Sequence, residues 1–168
     1  GVGREGCPTS RALPRVRPGT LSRSVHLGAL TAADARQVRE LGITRVLDFR
    51  GVEECRNGVC TLEGVRVMPL HIEPTLVQQV NALLAQGREL GEGDVARLME
   101  DTYSAFVRGN TPRFAEFFRM LLESAEPTVF HCSAGKDRTG FAAALLLHAL
   151  GAPEALILAD YLRTNELM

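Results

Sequence analysis

What most constrains this chain is one ten-residue connection, His131-Cys132-Ser133-Ala134-Gly135-Lys136-Asp137-Arg138-Thr139-Gly140, set between two apolar runs of different period. Pro127 to Phe130 reads as a short buried strand, and Phe141 to Leu150, rich in Ala and Leu, reads as a helix. A strand that passes into a helix through so few residues must turn sharply, which brings the first amides of the helix to one point. Those amides lack intrahelical partners and carry about half a positive charge, so they suit an anion such as phosphate. The amides of Ser133, Ala134, Gly135 and Lys136 line the expected cradle, and Gly135 is expected to let the backbone approach the anion with no Cβ in the way. Arg138 adds a planar fork of donors matched to two phosphate oxygens, which a lysine cannot reproduce. Cys132 lies at the base of the cradle, where the same field favours a nucleophilic thiolate. His131 is expected to orient the loop through its ring or backbone, and the Thr139 hydroxyl to donate to the sulfur. A lone cysteine is ordinarily a small core residue. Here five residue types at fixed offsets, between a strand and a helix, favour the cradle.

The rest of the chain gives that loop a frame. With 168 residues, 45% of them hydrophobic, there is material for one core and not for two ordinary domains. Residues 1–18, rich in Arg, Pro and Gly and without periodicity, read as an N-terminal arm; residues 19–168 read as a single domain. Thr31 to Asp34 fits a capping box for a helix ending near Leu41, with Gly42 as its stop. Ile43–Phe49 and Gly64–Leu70 read as strands, while Leu76–Ala85 and Val95–Val107 read as helices separated by the glycine-rich hinge Gly87–Gly93. Phe114, Phe117, Phe118, Leu121 and Leu122 follow Pro112 at helical spacing and give a strongly amphipathic helix whose aromatics are expected in the core, and Pro153 opens a last helix. Strands alternating with helices imply an α/β fold, a mostly parallel central sheet flanked by helices.

Composition also narrows the chemistry. A formal net charge of −1 gives no electrostatic reason to expect a nucleic acid partner. Four cysteines do not make a disulfide framework in a chain of this length, and a nucleophilic thiol calls for a reducing environment. No apolar run approaches the about 20 residues of a membrane span. The four histidines show no metal-ligand spacing, and the expected chemistry needs neither metal nor other cofactor.

The loop resembles the signature of the cysteine-dependent protein-tyrosine phosphatase superfamily, and its Ala134–Gly140 core is similar to a bacterial branch of atypical tyrosine, dual-specificity and phosphoinositide phosphatases. Arg17–Leu27, Leu41–Arg50 with Glu53 beyond it, and Asp160–Asn165 resemble further segments of that branch, whereas residues 73–108 match it only loosely. The resemblance implies a phosphomonoester hydrolase acting through a phosphocysteine, with a phosphorylated protein or a phosphoinositide as substrate; the need for a reduced thiol favours the cytoplasm, and a secreted or leader-processed protein stays open. The branch usually extends further, so a C-terminal segment is expected beyond Met168. Three rivals to a protein phosphatase stay open: a phosphoinositide phosphatase, a non-catalytic phosphate-recognition module, and sulfur transfer by Cys132.

The proton donor is the least determined part. The wider superfamily carries its acid on a separate Trp-Pro-Asp loop, but this chain has no Trp. Asp137, inside the cradle and favoured by the resembled branch, is the first choice; its alternative role is to brace the loop. Asp101 and Asp94 follow, with a solvated helix face as their alternative. Resemblance marks Asp48 and Arg50 as supporting residues, Arg50 and Glu53 read as a local ion pair or as support near the active face, and Lys136 is either a second cation at the rim or a solvated side chain.

Overall fold

Residues 19–73 and 91–163 are described by a computed structural model. The N-terminal arm, the helix expected over Leu76–Ala85 and most of the Gly87–Gly93 hinge lie outside the described residues. Within them the chain runs β1 (Leu21–Ser24), α1 (Ala32–Glu40), β2 (Arg45–Asp48), α2 (Val52–Arg56), β3 (Arg66–Pro69), α3 (Glu92–Gly109), α4 (Thr111–Glu123), β4 (Thr128–His131), α5 (Asp137–Ala149) and α6 (Glu154–Leu162). The strands form one sheet in the order β1-β4-β2-β3, and every neighbouring pair is parallel.

Parallel strands need helical crossovers, which cover both faces of the sheet. That is why β2 and β4 are buried along their whole length. Side chains alternate across the pleat. Val46 and Val129 therefore point into a smaller cluster with Leu27, Ile43 and Cys60, against which Val38 of α1 packs. Leu47 and Phe130 point the other way, into the larger cluster built from Phe106 of α3, Phe114, Phe117 and Met120 of α4, and Ala142 and Ala143 of α5. Phe49 sits in its middle, with ring centroids 5.3 Å from Phe117 and 6.0 Å from Phe114. The aromatics expected in the core are thus found there; Phe118 is partly buried and packs against it.

Local chemistry sets the element ends. Thr31 caps α1 through its hydroxyl while Asp34 reaches back to the Thr31 amide, the reciprocal box expected from sequence, and Gly42 follows at φ +69. The buried Arg45 has no carboxylate partner among the described residues. Its guanidinium instead donates to the Met120 and Ser124 carbonyls at the end of α4 and to Thr128 Oγ1, satisfying orphan acceptors that a helix terminus would otherwise bury. Helix α6 is fastened to β1 by a bidentate pair between Arg23 and Asp160, at 2.8 and 3.1 Å. No helix among the described residues is long and apolar enough to cross a membrane.

Candidate active site

At the carboxyl end of β4 the chain leaves the sheet as the loop Cys132–Lys136 and enters α5 at Asp137, so Asp137 and Arg138 occupy the first turn of a helix. The helix begins four residues before the apolar run that announced it. Cys132 is buried, Arg138 and Thr139 are buried within α5, and Lys136 is exposed. The strand–loop–helix geometry expected of this segment is therefore present. Cys55, Cys60 and Cys132 are free thiols.

Gly135 owes its place to a neighbour that the sequence did not indicate. Its φ is +70, and a Cβ there would lie 2.6 Å from the Ser24 carbonyl oxygen and 3.0 Å from the Val25 amide nitrogen. A close approach that demands glycine is thus made to the end of β1. The same contact is completed by the His26 amide, which donates to the Ser133 carbonyl at 3.2 Å.

Arg138 is held by a residue that sequence reasoning missed. Glu54, in the short helix α2, receives Nη1 at 2.5 Å and Nη2 at 2.8 Å, a fork-to-fork pair. Nη1 also donates to the carbonyls of Ile72 at 2.9 Å and Phe49 at 3.4 Å. Glu54 further accepts from the Ser133 hydroxyl and, at 2.8 Å, from the Gly51 amide at the start of α2. Burial alone would raise the carboxyl's pKa; the bonds from Arg138, Ser133 and Gly51 outweigh it and bring it to about 2. Burial likewise opposes the charge on Arg138, and the Glu54 bonds overcome it, holding the guanidinium pKa above its ordinary value. The one sequence signal for Glu54 was its position three residues after Gly51, where a capping carboxylate belongs.

That geometry corrects the expected Arg50–Glu53 pair. Arg50 turns inward onto Asp48, with Nη2 to Oδ2 at 2.7 Å and Nε to Oδ1 at 3.0 Å, whereas Glu53 stays on the surface and pairs with Arg56. A carboxylate two residues back on a buried strand end offers Arg50 a desolvated partner; the exposed Glu53 could not. Asp48 and Arg50 do stand behind the loop: Asp48 Oδ1 is 3.6 Å from His131 Nδ1. Burial tends to raise the Asp48 pKa, but its bonds with Arg50 and the charge of that guanidinium keep it below the ordinary carboxylate value.

His131 is fully buried. Its Nδ1 lies 3.1 Å from the Cys132 carbonyl oxygen, a contact that orients the peptide leading out of the candidate nucleophile. Burial lowers the ring's pKa despite the opposing charge of Asp48, which keeps it neutral. Its Nε2 and the Thr139 hydroxyl are both buried and have no hydrogen-bond partner among the described residues. The bond expected from Thr139 to the cysteine sulfur is thus not made. Behind Asp48, the Cys55 sulfur lies 3.6 Å from Asp48 Oδ2, and burial first, then that negative charge, push the thiol up to about 11.

Asp137 accepts a hydrogen bond at 2.8 Å from Tyr103 of α3. The two other acids considered from sequence sit elsewhere. Asp94 accepts from the Gly91 amide at the start of α3, and Asp101 is exposed on the same helix.

Against known proteins, the model of the tyrosine phosphatase family matches residues 5–168. The triple specificity protein phosphatase PtpB of Mycobacterium tuberculosis is 34% identical over 188 aligned positions, spanning 97% of this chain and 66% of its own. A tyrosine-protein phosphatase of Nostoc commune is 30% identical over 146 residues, 83% of this chain and 46% of its own. TpbA of P. aeruginosa, solved in complex with pTyr, aligns over 86% of this chain and 68% of its own at 16% identity and a TM-score of 0.46. The chain spans about half to two thirds of the length of the curated relatives it matches. The family match runs through all the segments that position the loop, and the chain belongs to the tyrosine phosphatase family.

Proposed function

We propose that this chain hydrolyses phosphomonoesters through a phosphocysteine intermediate, with phosphorylated protein side chains as its main substrates. The observation that carries the reading is the pairing of Cys132, at the base of the loop, with an Arg138 whose fork is pre-oriented by Glu54. Glu54, Ile72 and Phe49 engage Nη1 and one face of Nη2. Nε and the second Nη2 proton make no hydrogen bond among the described residues, and they are the donors a phosphate would receive.

In this mechanism the Cys132 sulfur attacks phosphorus in line, forming the S–P bond as the bond to the leaving oxygen breaks. Arg138 and the amides of Ser133 to Lys136 hold the equatorial oxygens. Asp137 gives its proton to the leaving oxygen and then, as the carboxylate, takes one from the water that attacks the phosphocysteine. The S–P bond breaks and the thiolate returns. Thr139 has a buried hydroxyl without a partner, and the departing sulfur is where its proton is useful; a buried donor left unpaired costs about 1–3 kcal/mol, so it is retained for a group that needs it. A thiolate nucleophile works only while reduced, which favours a reducing compartment such as the cytoplasm.

A phosphoinositide substrate is the second reading. Lys136 is exposed beside the loop, where it could meet an additional phosphate, and the relative from Mycobacterium tuberculosis is named for triple specificity. Initial rates on matched phosphotyrosine, phosphoserine and phosphoinositide substrates rank these classes. Run beside them, Cys132→Ser is expected to abolish turnover while retaining binding of inorganic phosphate. Wild-type-like hydrolysis by that variant would sink the phosphocysteine mechanism; binding with no turnover in the wild type would leave a phosphate-recognition module.

A further inference from the structure

The chain contains two tyrosines, and they touch each other in a line that ends on Asp137. Tyr161 Oη donates to Tyr103 Oη at 3.0 Å, and Tyr103 Oη donates to Asp137 Oδ1 at 2.8 Å. We propose that Tyr103 is a positioning residue for the proton-donating carboxyl of Asp137, with Tyr161 as the outer anchor that fixes the direction of the Tyr103 hydroxyl.

The argument turns on which oxygen carries the proton. A tyrosine hydroxyl has one proton to give. Because the Tyr103 oxygen receives the Tyr161 proton, its own is directed at Asp137. Asp137 Oδ1 is thereby an acceptor whether the carboxyl is protonated or ionised, and the transferable proton is confined to Oδ2. No hydrogen bond reaches Oδ2 among the described residues. The line therefore fixes the rotation of the carboxyl group without consuming the atom that does the work. Burial first, then the bonds with Tyr161 and Asp137, raise the Tyr103 pKa, so this hydroxyl remains a donor throughout the working range.

The three residues come from three helices: Tyr103 from α3, Asp137 from the first turn of α5, and Tyr161 from α6. Each ring is held independently of the hydrogen bonds. Tyr103 packs beside Phe106, with centroids 6.5 Å apart, and Tyr161 lies over Gly140, where a Cβ would come within 3.0 Å of its ring. A cavity of about 500 Å³, lined by both tyrosines together with Phe141, Ala144 and Ile157, adjoins the pair. With the rings fixed, the hydroxyls are rigid relative to Asp137, as a positioning device requires.

The proposal rests on Asp137 as the general acid, and the test separates the two. Full-length Tyr103→Phe, Tyr161→Phe, Asp137→Asn and Tyr103→Phe/Asp137→Asn proteins are compared on an alkyl phosphate and on an activated aryl phosphate. Since general acid catalysis supplies about 10²–10⁴-fold, Tyr103→Phe is expected to lower kcat on the alkyl phosphate by about tenfold, with KM and the aryl rate within about twofold. Tyr161→Phe should act in the same sense and more weakly. In the Asp137→Asn background, Tyr103→Phe should have no further effect on kcat, because it acts only through that carboxyl. Competitive inhibition by inorganic phosphate should be unchanged in both tyrosine variants, which reports an intact cradle. If Asp137→Asn shows the leaving-group dependence and Tyr103→Phe does not, or if the two losses simply multiply, the positioning role is overturned. If Asp137→Asn itself shows no such dependence, the acid assignment falls, and the positioning role with it.

Discussion

At the scale of single residues, the site is organised around Glu54 as much as around Cys132. A guanidinium that is almost entirely buried is costly unless its donors are met, and Glu54 meets two of them with one planar group. Replacing it by Gln keeps the shape and removes the charge. Glu54→Gln is expected to cost about 2–3 kcal/mol of stability, because one oxygen that accepts from Arg138 becomes an NH2 donor facing it, and the other becomes a neutral acceptor in a partly desolvated place. Phosphate affinity should fall at the same time, since Arg138 is no longer held in one orientation. Urea denaturation and phosphate inhibition of the variant check both; unchanged values for both would show that the arginine is positioned by the Ile72 and Phe49 carbonyls alone. Glu54 was out of reach of pattern reasoning because its partner lies 84 positions away and its helix is only five residues long. Tyr103 and Tyr161 escaped for the same reason: nothing local distinguishes a core tyrosine from one whose hydroxyl meets another 58 residues off.

At the scale of elements, the end of β1 and the loop after β4 are locked against each other at Gly135. Gly135→Ala should be among the most damaging small changes available, with kcat/KM lowered by at least about tenfold. It sets a Cβ against backbone that cannot step aside, and it adds about 1–2 kcal/mol for a side chain in the left-handed region. Gly42→Ala is the control. Its φ of +69 carries the same conformational penalty, but a Cβ there meets nothing within 4 Å, so it should destabilise without changing kcat/KM. Steady-state kinetics and thermal unfolding of both variants compare the two costs, and equal kinetic effects would refute the lock. The elements themselves were largely legible. Helices α1, α3, α4 and α5 and strands β2, β3 and β4 lie where apolar period, caps and prolines put them, within a few residues. Strand β1 was not: Leu21-Ser22-Arg23-Ser24 has no alternation, and is a strand only because Thr128–His131 pairs with it.

At the scale of the whole molecule, the buried His131 and Asp48 and the half-buried Glu54 make stability depend on pH in one direction. His131 has its pKa held below 6.5, so it stays neutral in the fold while the unfolded chain takes up a proton; stability therefore starts to fall as pH drops through about 6.5. Asp48 and Glu54 have pKa values below 3.8 and 4.5, so their contribution is whole above those values and is lost on further acidification, for Glu54 down to about 2. The midpoint of urea unfolding should thus decline in two stages between neutral pH and pH 3, and a midpoint that rises on acidification would contradict it. The order of the strands has another consequence, which concerns time. Among the described residues, strand β1 is the earliest of the four in the chain and pairs only with β4, the latest of them, while β2 waits on the other side of the same gap. A growing chain therefore carries an open seam until residues 128–131 have emerged, and the segment that closes the seam runs directly into Cys132. Such distant pairing makes folding slow compared with a helical bundle. It also means that a partly synthesised chain has no assembled cradle: the four residues that complete the sheet are followed directly by the nucleophile.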